Sequence, residues 1–287
     1  ASGEVYEGGW LRGRRWGVGA CVYANGNLYQ GEWRRGREHG AGVLMSSDRG
    51  AVLYDGDWAD GRLCGRGTYR FPDGSTYVGD WRDSLRHGRG VYTLATGASL
   101  VEMAHAVRGD WRDSLRHGRG VYTLATGATY EGEWRENVRC GRGVMEWPDG
   151  SVYDGDWADD ARHGRGVLRL STGFAYDGQW CADEMEGRGM CVYEDGQRYE
   201  GMFRGGLKDG RGTLVFANGV SYEGRFRNDR IDGQGMVRIA APVRDGDGGS
   251  SSGGGDSGGG GGDWLIPINL VDIERIHVKA GFDKGGL

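Results

Sequence analysis

The stretch that decides the fold is YEGEWRENVRCGRGVMEWPDGSVYDGDW, residues 130–157. It begins and ends on nearly the same phrase, because YEGEW at 130–134 returns as YDGDW at 153–157, 23 residues later. A chain that repeats itself at a short fixed interval is built from one small structural unit, and stacking that unit buries a core that a single copy cannot bury. The unit therefore has to be identified before any other feature.

The repeat extends over most of the 287 residues. The phrase occurs in nine complete copies and in a tenth, incomplete copy that keeps only Gly109 and Trp111. A Gly-x-Gly such as Gly141/Gly143 follows each phrase. An Asn-Gly or Asp-Gly pair closes most units. The complete copies follow each other at 23 residues, apart from one interval of 25 and the gap left by the incomplete copy, and begin at Tyr6, Tyr29, Tyr54, Tyr77, Tyr130, Tyr153, Tyr176, Tyr199 and Tyr222.

The period inside each unit is two, which is typical of a β-strand. The Tyr, Gly and Trp of the phrase stand at positions i, i+2 and i+4 and so share one face of a strand. The Gly-x-Gly and the large residues after it also alternate, and no helical period competes inside the repeats. Each unit therefore predicts a β-hairpin with a loop near an Arg-His-Gly segment such as 162–164, followed by an Asn-Gly or Asp-Gly turn into the next unit.

The glycines have a physical role in this prediction. A glycine inside a strand usually marks a close approach, and here three glycines per unit share a face with large rings. A ring on one strand can lie flat over the hollow that a glycine leaves on its neighbour. We therefore expect an all-β, elongated, single-layer antiparallel sheet of stacked hairpins, about twenty strands in all, in which each unit contacts mainly the next.

The phrase Y-x-G-x-W, a spacer, H-G-x-G and a D-G turn resembles the MORN (membrane occupation and recognition nexus) repeat over residues 3–240. This resemblance implies an antiparallel ribbon whose aromatic face forms a groove for partners. Members of the family include radial spoke head proteins and protist cytoskeletal proteins. The resemblance therefore implies a cytoplasmic protein of a cytoskeletal, ciliary or flagellar assembly.

Composition excludes several other classes of protein. Gly is 60 of 287 residues but Pro is only 4, which does not fit collagen, and 11 Trp do not fit a disordered Gly-rich chain. The net charge of −5 argues against a chain that coats nucleic acid. The five Cys lack a C-x-x-C pair and are expected to be small core or groove residues of a reduced protein.

Three segments are predicted along the chain. Residues 1–243 form the repeat array, 244–263 a flexible Gly/Ser-rich linker, and 264–287 a C-terminal docking segment. The array contains two identical stretches, 79–98 and 109–128, and an insertion at 99–108 between them. We expect the insertion to bulge from the sheet and interrupt the groove.

The C-terminal segment allows two secondary structures. Asn269 can cap a short amphipathic helix that ends at Gly281. A strand from Trp264 to Val278 is the alternative, because the apolar run is too short to decide. In either form the segment could close the open end of the array in cis, or bind a partner in trans.

No catalytic motif is present, and we expect a protein that is not an enzyme and has no cofactor and no metal site. Four His occupy one repeat position, at 39, 87, 117 and 163, but one residue per hairpin does not bring three or four zinc ligands together. The acidic residues beside the rings alternate with them and should face away, into solvent. Nearby Arg residues, among them Arg116, Arg139 and Arg142, are expected to pair with these acids across strands.

The favoured function is a non-catalytic scaffold that binds an extended peptide or a helix of a partner protein along the aromatic groove. One alternative is a module that binds anionic lipid weakly through the basic runs 12–15 and 34–37. Another is a regulatory arm of an enzyme whose catalytic domain lies outside this chain. The groove residues predicted to contact a partner are the unbroken run of Tyr130, Trp134, Tyr153, Trp157, Tyr176, Trp180, Tyr199 and Phe203.

Overall fold

The computed structural model describes residues 3–48, 50–95, 106–124, 126–239 and 264–268. It divides into two compact units, residues 1–160 and 161–287. Both consist of antiparallel β-strands, and the described residues contain no helix. The all-β class and the stacked hairpins predicted from the repeat are confirmed.

The strands of the first unit alternate between shorter and longer ones, two per repeat. They are β1 (Val5–Leu11), β2 (Arg14–Val22), β3 (Leu28–Arg34), β4 (Arg37–Met45), β5 (Val52–Ala59), β6 (Arg62–Arg70), β7 (Thr76–Arg82), β8 (Leu85–Thr93), β9 (Ala106–Arg112), β10 (Leu115–Thr123), β11 (Thr129–Arg135), β12 (Val138–Glu146) and β13 (Val152–Ala158).

The second unit repeats the same alternation. Its strands are β14 (Ala161–Arg169), β15 (Ala175–Cys181), β16 (Glu184–Val192), β17 (Arg198–Arg204), β18 (Leu207–Val215), β19 (Ser221–Arg227), β20 (Arg230–Ile239) and β21 (Trp264–Ile268).

Within each unit every strand pairs with the strand before it and the strand after it in sequence. The register is fixed by glycines that stand directly opposite one another, one per repeat strand. In the first unit Gly120 faces Gly132, Gly132 faces Gly143, and Gly143 faces Gly155. The rows of glycines that result cross the strands of each unit, and we call each of them a glycine row.

The hairpin loops are two-residue turns with positive φ at both positions. In the hairpin of β11 and β12 these are Glu136 (φ 51°) and Asn137 (φ 73°), the geometry of a type I′ turn, whose twist matches that of paired strands. The loop was predicted near the Arg-His-Gly segment, and it ends two positions before that segment, at Ser114 in the hairpin of β9 and β10. Arg116, His117 and Gly118, for example, lie inside β10.

The first glycine of each Gly-x-Gly serves a bulge and not the ring face. Glu133 on β11 pairs with Cys140 while Gly132 pairs with Gly143, so Gly141 and Arg142 have no partner on β11. Gly141 adopts φ 58°, and the Glu133 carboxylate accepts a hydrogen bond from the Arg142 backbone N–H (3.3 Å). Two of the three glycines predicted to lie under the rings do so, because the third is needed to turn the backbone.

The Asn-Gly and Asp-Gly turns connect one hairpin to the next, as predicted. Between β12 and β13, Gly150 N–H donates to the Trp147 carbonyl (2.9 Å) and Trp147 N–H donates to the Ser151 carbonyl (2.9 Å). Asp149 accepts from the Ser151 backbone N–H (2.9 Å), which closes the turn. The residue before each such turn is apolar in most repeats, and it stays half-buried or exposed.

Part of the predicted insertion belongs to the sheet. Residues 106–108 begin β9, which pairs with β8 (Gly90 with Gly109) and with β10 (Gly109 with Gly120), so the strand ladder continues through this region. Val107 takes the place of the missing Tyr and is buried. Residues 99–105, where the remainder of the expected bulge falls, lie outside the described residues.

The tail forms a strand where the sequence left helix and strand open. Trp264–Ile268 form β21, which pairs antiparallel with β20. Over these five residues the structure agrees with the strand alternative. The predicted linker and the residues after Ile268, including Asn269 and Gly281, lie outside the described residues.

Candidate functional site

The Tyr of each repeat lies flat on the glycine row. The Tyr130 ring covers Gly132 on its own strand and Gly143 on the next, and its hydroxyl donates to the Glu133 carbonyl (3.2 Å). The same bond is made by Tyr54 to the Asp57 carbonyl (3.0 Å). The rings thus fill the space that the missing side chains leave, which confirms the predicted pairing of ring and glycine.

The Trp of each repeat joins two hairpins. Trp134 packs edge-on against Tyr130 (ring centroids 5.1 Å apart, 85° between planes), and its indole N–H donates to the carbonyl of Gly120 in the preceding hairpin (3.4 Å). Tyr130 also packs edge-on against Trp157 of the following hairpin (5.3 Å). Each ring is therefore held from both sides.

An Arg covers the rings in the middle repeats and also bonds to the next turn. The Arg116 guanidinium lies 4.2 Å from the Trp134 ring centroid and donates to the Asn137 side-chain oxygen (3.2 Å) and the Asn137 carbonyl (3.1 Å). Arg139 makes the same contacts with Trp157 (4.5 Å) and Asp160 (2.9 and 2.7 Å). This contact of Arg, ring and turn repeats along the sheet, and we call it the arginine clamp.

The arginine clamp corrects one expectation about charge. Arg116 and Arg139 were predicted to pair with the acids beside the rings, but they lie on the ring face and bond to the turn of the next hairpin. Arg142, in contrast, does pair across strands as predicted, with Asp154 (3.3 Å) and Asp156 (3.5 Å). The sequence contains this difference, because residues 139 and 143 are an even number of positions apart and therefore lie on the same face of the strand.

The rings proposed as the partner-binding groove are almost fully buried. Tyr130 is 0% and Trp134 5% exposed, and the other six are equally covered: Tyr153, Trp157, Tyr176, Trp180, Tyr199 and Phe203. The structure assigns these eight residues to packing between hairpins. A role in direct contact with a partner stays a prediction, and the rings offer almost no accessible surface for it.

Burial also suppresses the ionisation of these tyrosines. Desolvation raises the pKa of Tyr199 to about 12 and raises the pKa of Tyr130 further above its ordinary value. The thiols Cys21 and Cys191 are buried on the same face, as predicted, and burial raises the pKa of both. The tyrosines and these two thiols of the ring face are therefore neutral, packed groups beneath the arginine clamp. Cys64 and Cys140 are half-buried, and Cys181 is exposed, so the prediction of a core or groove residue is wrong for Cys181.

The opposite face of the sheet, which we call the open face, carries a groove in the first unit. The groove has a volume of about 780 Å³, and its floor is the glycine row from Gly90 to Gly143. Arg119 and Arg142 line one side, and Val121 and Val144 line the other. Val144 is 37% exposed, so the groove combines cationic side chains with accessible apolar ones.

The second unit has a separate groove on its own open face, with a volume of about 1500 Å³. Its floor is again the glycine row, from Gly178 to Gly224. Met190 and Met236 are each 44% exposed in it and lie among charged side chains of both signs. Met is adaptable in shape, which suits a surface that receives a partner segment.

Sequence reasoning missed these grooves. The sequence predicts binding at the Tyr and Trp rings and a solvated opposite face. The signal was present in the residue after the second glycine of each Gly-x-Gly, which is apolar in most repeats: Ala20, Val43, Val91, Val121, Val144, Val167, Met190 and Met236. A solvated face would not need an apolar residue there.

The described residues hold no group of three or more His, Cys, Asp or Glu placed to bind a metal ion. No helix in the described part of the chain is long and apolar enough to cross a membrane. In the basic runs, Arg15 stacks on Trp33 (4.9 Å) and pairs with Glu4 (2.7 Å), while Arg12, Arg14, Arg35 and Arg37 are exposed.

A protein-family model matches the repeats along this chain. The family model described as MORN repeat matches ten segments that together cover more than half of the chain: 6–28, 29–50, 54–76, 77–99, 108–129, 130–152, 153–173, 176–198, 199–221 and 222–238. No curated protein matches.

Solved structures give distant likenesses. The E1021V mutant of the TCP10 domain of Danio rerio CPAP is 15% identical with a TM-score of 0.37, covering 72% of this chain and 92% of that one. The SAS-4 (dCPAP) TCP domain of Drosophila melanogaster, in complex with a proline-rich motif of Ana2 (dSTIL), is 12% identical with a TM-score of 0.27, covering 74% and 85%. With TM-scores below 0.5, we take nothing about function from either.

Proposed function

We propose that this chain, which belongs to the MORN repeat family, is a scaffold that binds segments of partner proteins on its open face. The observation that carries this proposal is that each unit has a groove over its glycine row, lined by exposed apolar and charged side chains, while the rings on the other face are buried. A partner gains affinity only from surface that is accessible before binding.

The lining of the grooves favours an extended peptide or a helix with mixed character. In the first unit, Val144 offers apolar contact, and Arg119 and Glu131 offer charges of opposite sign within the same groove. Charges at the rim select orientation and register, while the apolar residues supply most of the affinity. The buried rings act from the other side by holding the strands that form the floor.

The experiment selects peptides from a random display library against the full chain and measures their affinity for variants. Val144→Asp in the first unit and Met190→Asp in the second place a charge in each groove. Leu115→Asp and Leu207→Asp are matched controls, because these residues are also apolar and about 40% exposed but lie outside both grooves.

We expect peptides to bind the native chain and both controls equally and to lose tenfold or more in affinity on Val144→Asp or Met190→Asp. Circular dichroism checks that each variant is folded. Peptides that bind all four variants alike would show that the grooves are not the binding surface. The affinity of the selected peptides for a variant such as Trp134→Ala tests the ring face in the same assay.

A cytoskeletal, ciliary or flagellar setting is the second part of the proposal. Its support is the family resemblance alone, since members of the family occur in radial spokes and protist cytoskeletons. Expression of the tagged chain in ciliated cells, with detergent extraction before imaging, tests it. Signal that is extracted with the soluble fraction would contradict the assignment.

A module for anionic lipid is a second candidate, favoured by the exposed Arg12 and Arg35 in the turns of the first two hairpins and by the exposed Arg14 and Arg37 at the start of β2 and β4. Flotation with vesicles of phosphatidylcholine, with and without phosphatidylserine, measures it. Binding that needs phosphatidylserine and disappears at high salt would support it. The double variant Arg14→Glu/Arg35→Glu should then no longer float with the vesicles. If the native chain itself does not float with them, this candidate is excluded.

A further inference from the structure

The last repeat strand of the second unit is paired in an unusual way. In the preceding repeat, β18 pairs with the first strand of the next hairpin, with Gly212 opposite Gly224 and Leu214 opposite Tyr222. No eleventh repeat follows β20 in this sequence. The place that its first strand would fill is taken by β21, which the chain reaches after 24 further residues, 240–263.

The register of β21 is that of a repeat strand. Val237 occupies the position of Leu214 in its repeat and stands opposite Ile266, and Gly235 stands opposite Ile268. Ile266 thus takes the position of a Tyr and Ile268 that of a glycine. Val237 is only 4% exposed although its strand is the last of the array. The edge of β20 therefore accepts a strand in repeat register that does not have the repeat sequence.

Three features make this pairing weaker than that between repeats. β21 pairs only along Gly235–Ile239, whereas the β18–β19 ladder begins at Gly210, so the equivalent Gly233 has no partner on β21. Pro267 stands opposite Met236 and has no N–H to donate. Closing a 24-residue connection, compared with the five residues between β18 and β19, lowers the effective concentration of the strand roughly tenfold.

We propose that the outer edge of β20 is a strand-binding site for an extended peptide of a partner protein, and that Trp264–Ile268 of the same chain are its resident, displaceable ligand. The resident strand defines the chemistry of the partner peptide, which carries large apolar residues at alternate positions. Main-chain hydrogen bonds supply affinity, and the position opposite Val237 supplies selectivity. A peptide that also pairs with Ile231–Gln234 displaces β21. This site is separate from the open-face grooves and does not depend on them.

The test uses the full chain with Ile266→Asp, which places a charge at the Tyr-equivalent position. Ile273→Asp is the matched control, since it makes the same change in the tail but outside β21. Amide hydrogen exchange follows residues 235–239, and fluorescence anisotropy follows a labelled peptide of residues 262–270 and a scrambled version. Exchange in β15–β18 reports whether the variant is otherwise folded.

We expect slow exchange at 235–239 in the native chain and in Ile273→Asp, and exchange at least tenfold faster in Ile266→Asp. The labelled peptide should bind Ile266→Asp at least tenfold more tightly than the native chain and restore slow exchange, and the scrambled peptide should not. Equal exchange in the native chain and Ile266→Asp, or equal peptide binding by both, would overturn the proposal.

A second version of the experiment keeps the native sequence of residues 264–268. A protease site inserted between residues 250 and 256 allows the connection to be cut after folding, which removes the effective concentration of the tail. On dilution to low micromolar concentration the cut tail should dissociate and the labelled peptide should bind. A tail that stays bound without exchanging with labelled peptide would contradict displacement. A native dimer with exchanged tails, seen by light scattering, would contradict residence in cis.

Discussion

The ring of Tyr130 lies across Gly143 of the neighbouring strand, so closely that a methyl group added to Gly143 would overlap the ring. Tyr130 stands opposite Met145 in this strand pairing, so its ring reaches Gly143 diagonally, and the same relation recurs between Tyr176 and Gly189 and between Tyr199 and Gly212. The glycine rows are therefore half of a packing interface whose other half is aromatic.

The first prediction concerns this pair. We expect Gly143→Ala to destabilise the first unit by at least about 2 kcal/mol, because the added methyl forces the Tyr130 ring off its site. Chemical denaturation followed by Trp fluorescence measures the loss. Val144→Ala is the control on the adjacent, exposed position and should change stability little. The double variant Tyr130→Val/Gly143→Ala should recover part of the loss. If the losses in free energy of unfolding of the two single variants simply add, the contact is contradicted.

The second prediction concerns the arginine clamp. Arg116→Lys should cost about 1–2 kcal/mol, because an ammonium cannot both stack on Trp134 and bond twice to Asn137. Arg119→Lys, on the exposed open face of the same strand, should be neutral. Hydrogen exchange of the 136–137 turn localises the effect. An equal loss in both variants would mean that the stacking geometry is unimportant.

The third prediction concerns the loss of stability at low pH. Partial burial acts to raise the pKa of Asp160, but hydrogen bonds from the Arg139 backbone and guanidinium outweigh it and lower the pKa below its usual value. The stabilisation is thus present above about pH 4 and lost as the pH falls through the lowered pKa. Asp160→Asn keeps the bonding pattern that Asn137 already uses.

The measurement for Asp160 is the free energy of unfolding between pH 6 and pH 2. The native chain should lose more stability over this range than Asp160→Asn, because only the carboxylate can be protonated. Asp55→Asn, which changes an exposed acid on β5 outside the arginine clamp, is the control. Identical pH profiles for the native chain and Asp160→Asn would contradict the prediction.

The fourth prediction concerns the loss of stability at high pH. Burial raises the folded-state pKa of Tyr54, Tyr77, Tyr130 and Tyr199, the last to about 12, above the value near 10 of an exposed phenol. The stabilisation is complete below pH 10 and is lost as the pH rises further. Absorbance at 295 nm should therefore show most phenols ionising together with loss of β-sheet circular dichroism. Independent ionisation near pH 10 with the sheet intact would be inconsistent with the buried rings.

Much of the fold could be predicted from the sequence, for reasons visible in single repeats. The spacing of Tyr130, Gly132 and Trp134 assigned them to one face, and the Asp149-Gly150 pair marked the turn between hairpins. The loop was placed only approximately because Glu136–Asn137 have no glycine, and a type I′ turn of two other residues gives little sequence signal. The bulge at Gly141 depends on the side chain of Glu133, which alternation does not reveal.

The candidate site was less predictable. A period of two assigns residues to a face, but it does not say whether anything covers that face. Trp134 is buried because Arg116 lies over it, whereas the sequence analysis predicted that Arg116 pairs with acids across strands. The groove at Val144 is formed by several strands together, so the apolar residue of one repeat does not by itself reveal it.

The two identical stretches, 79–98 and 109–128, lie in neighbouring hairpins and use the same residues toward different neighbours, since Arg86 bonds to Ser114 while Arg116 bonds to Asn137. Removal of the 30 residues from 79 to 108 would join Val78 to Gly109 and leave Tyr77 and Tyr130 separated by the regular 23 positions. Recombination between the two coding copies would thus shorten the protein by one in-frame hairpin without a scar. Such a gene can change the length of its product in whole steps, and natural size variants should differ by this unit.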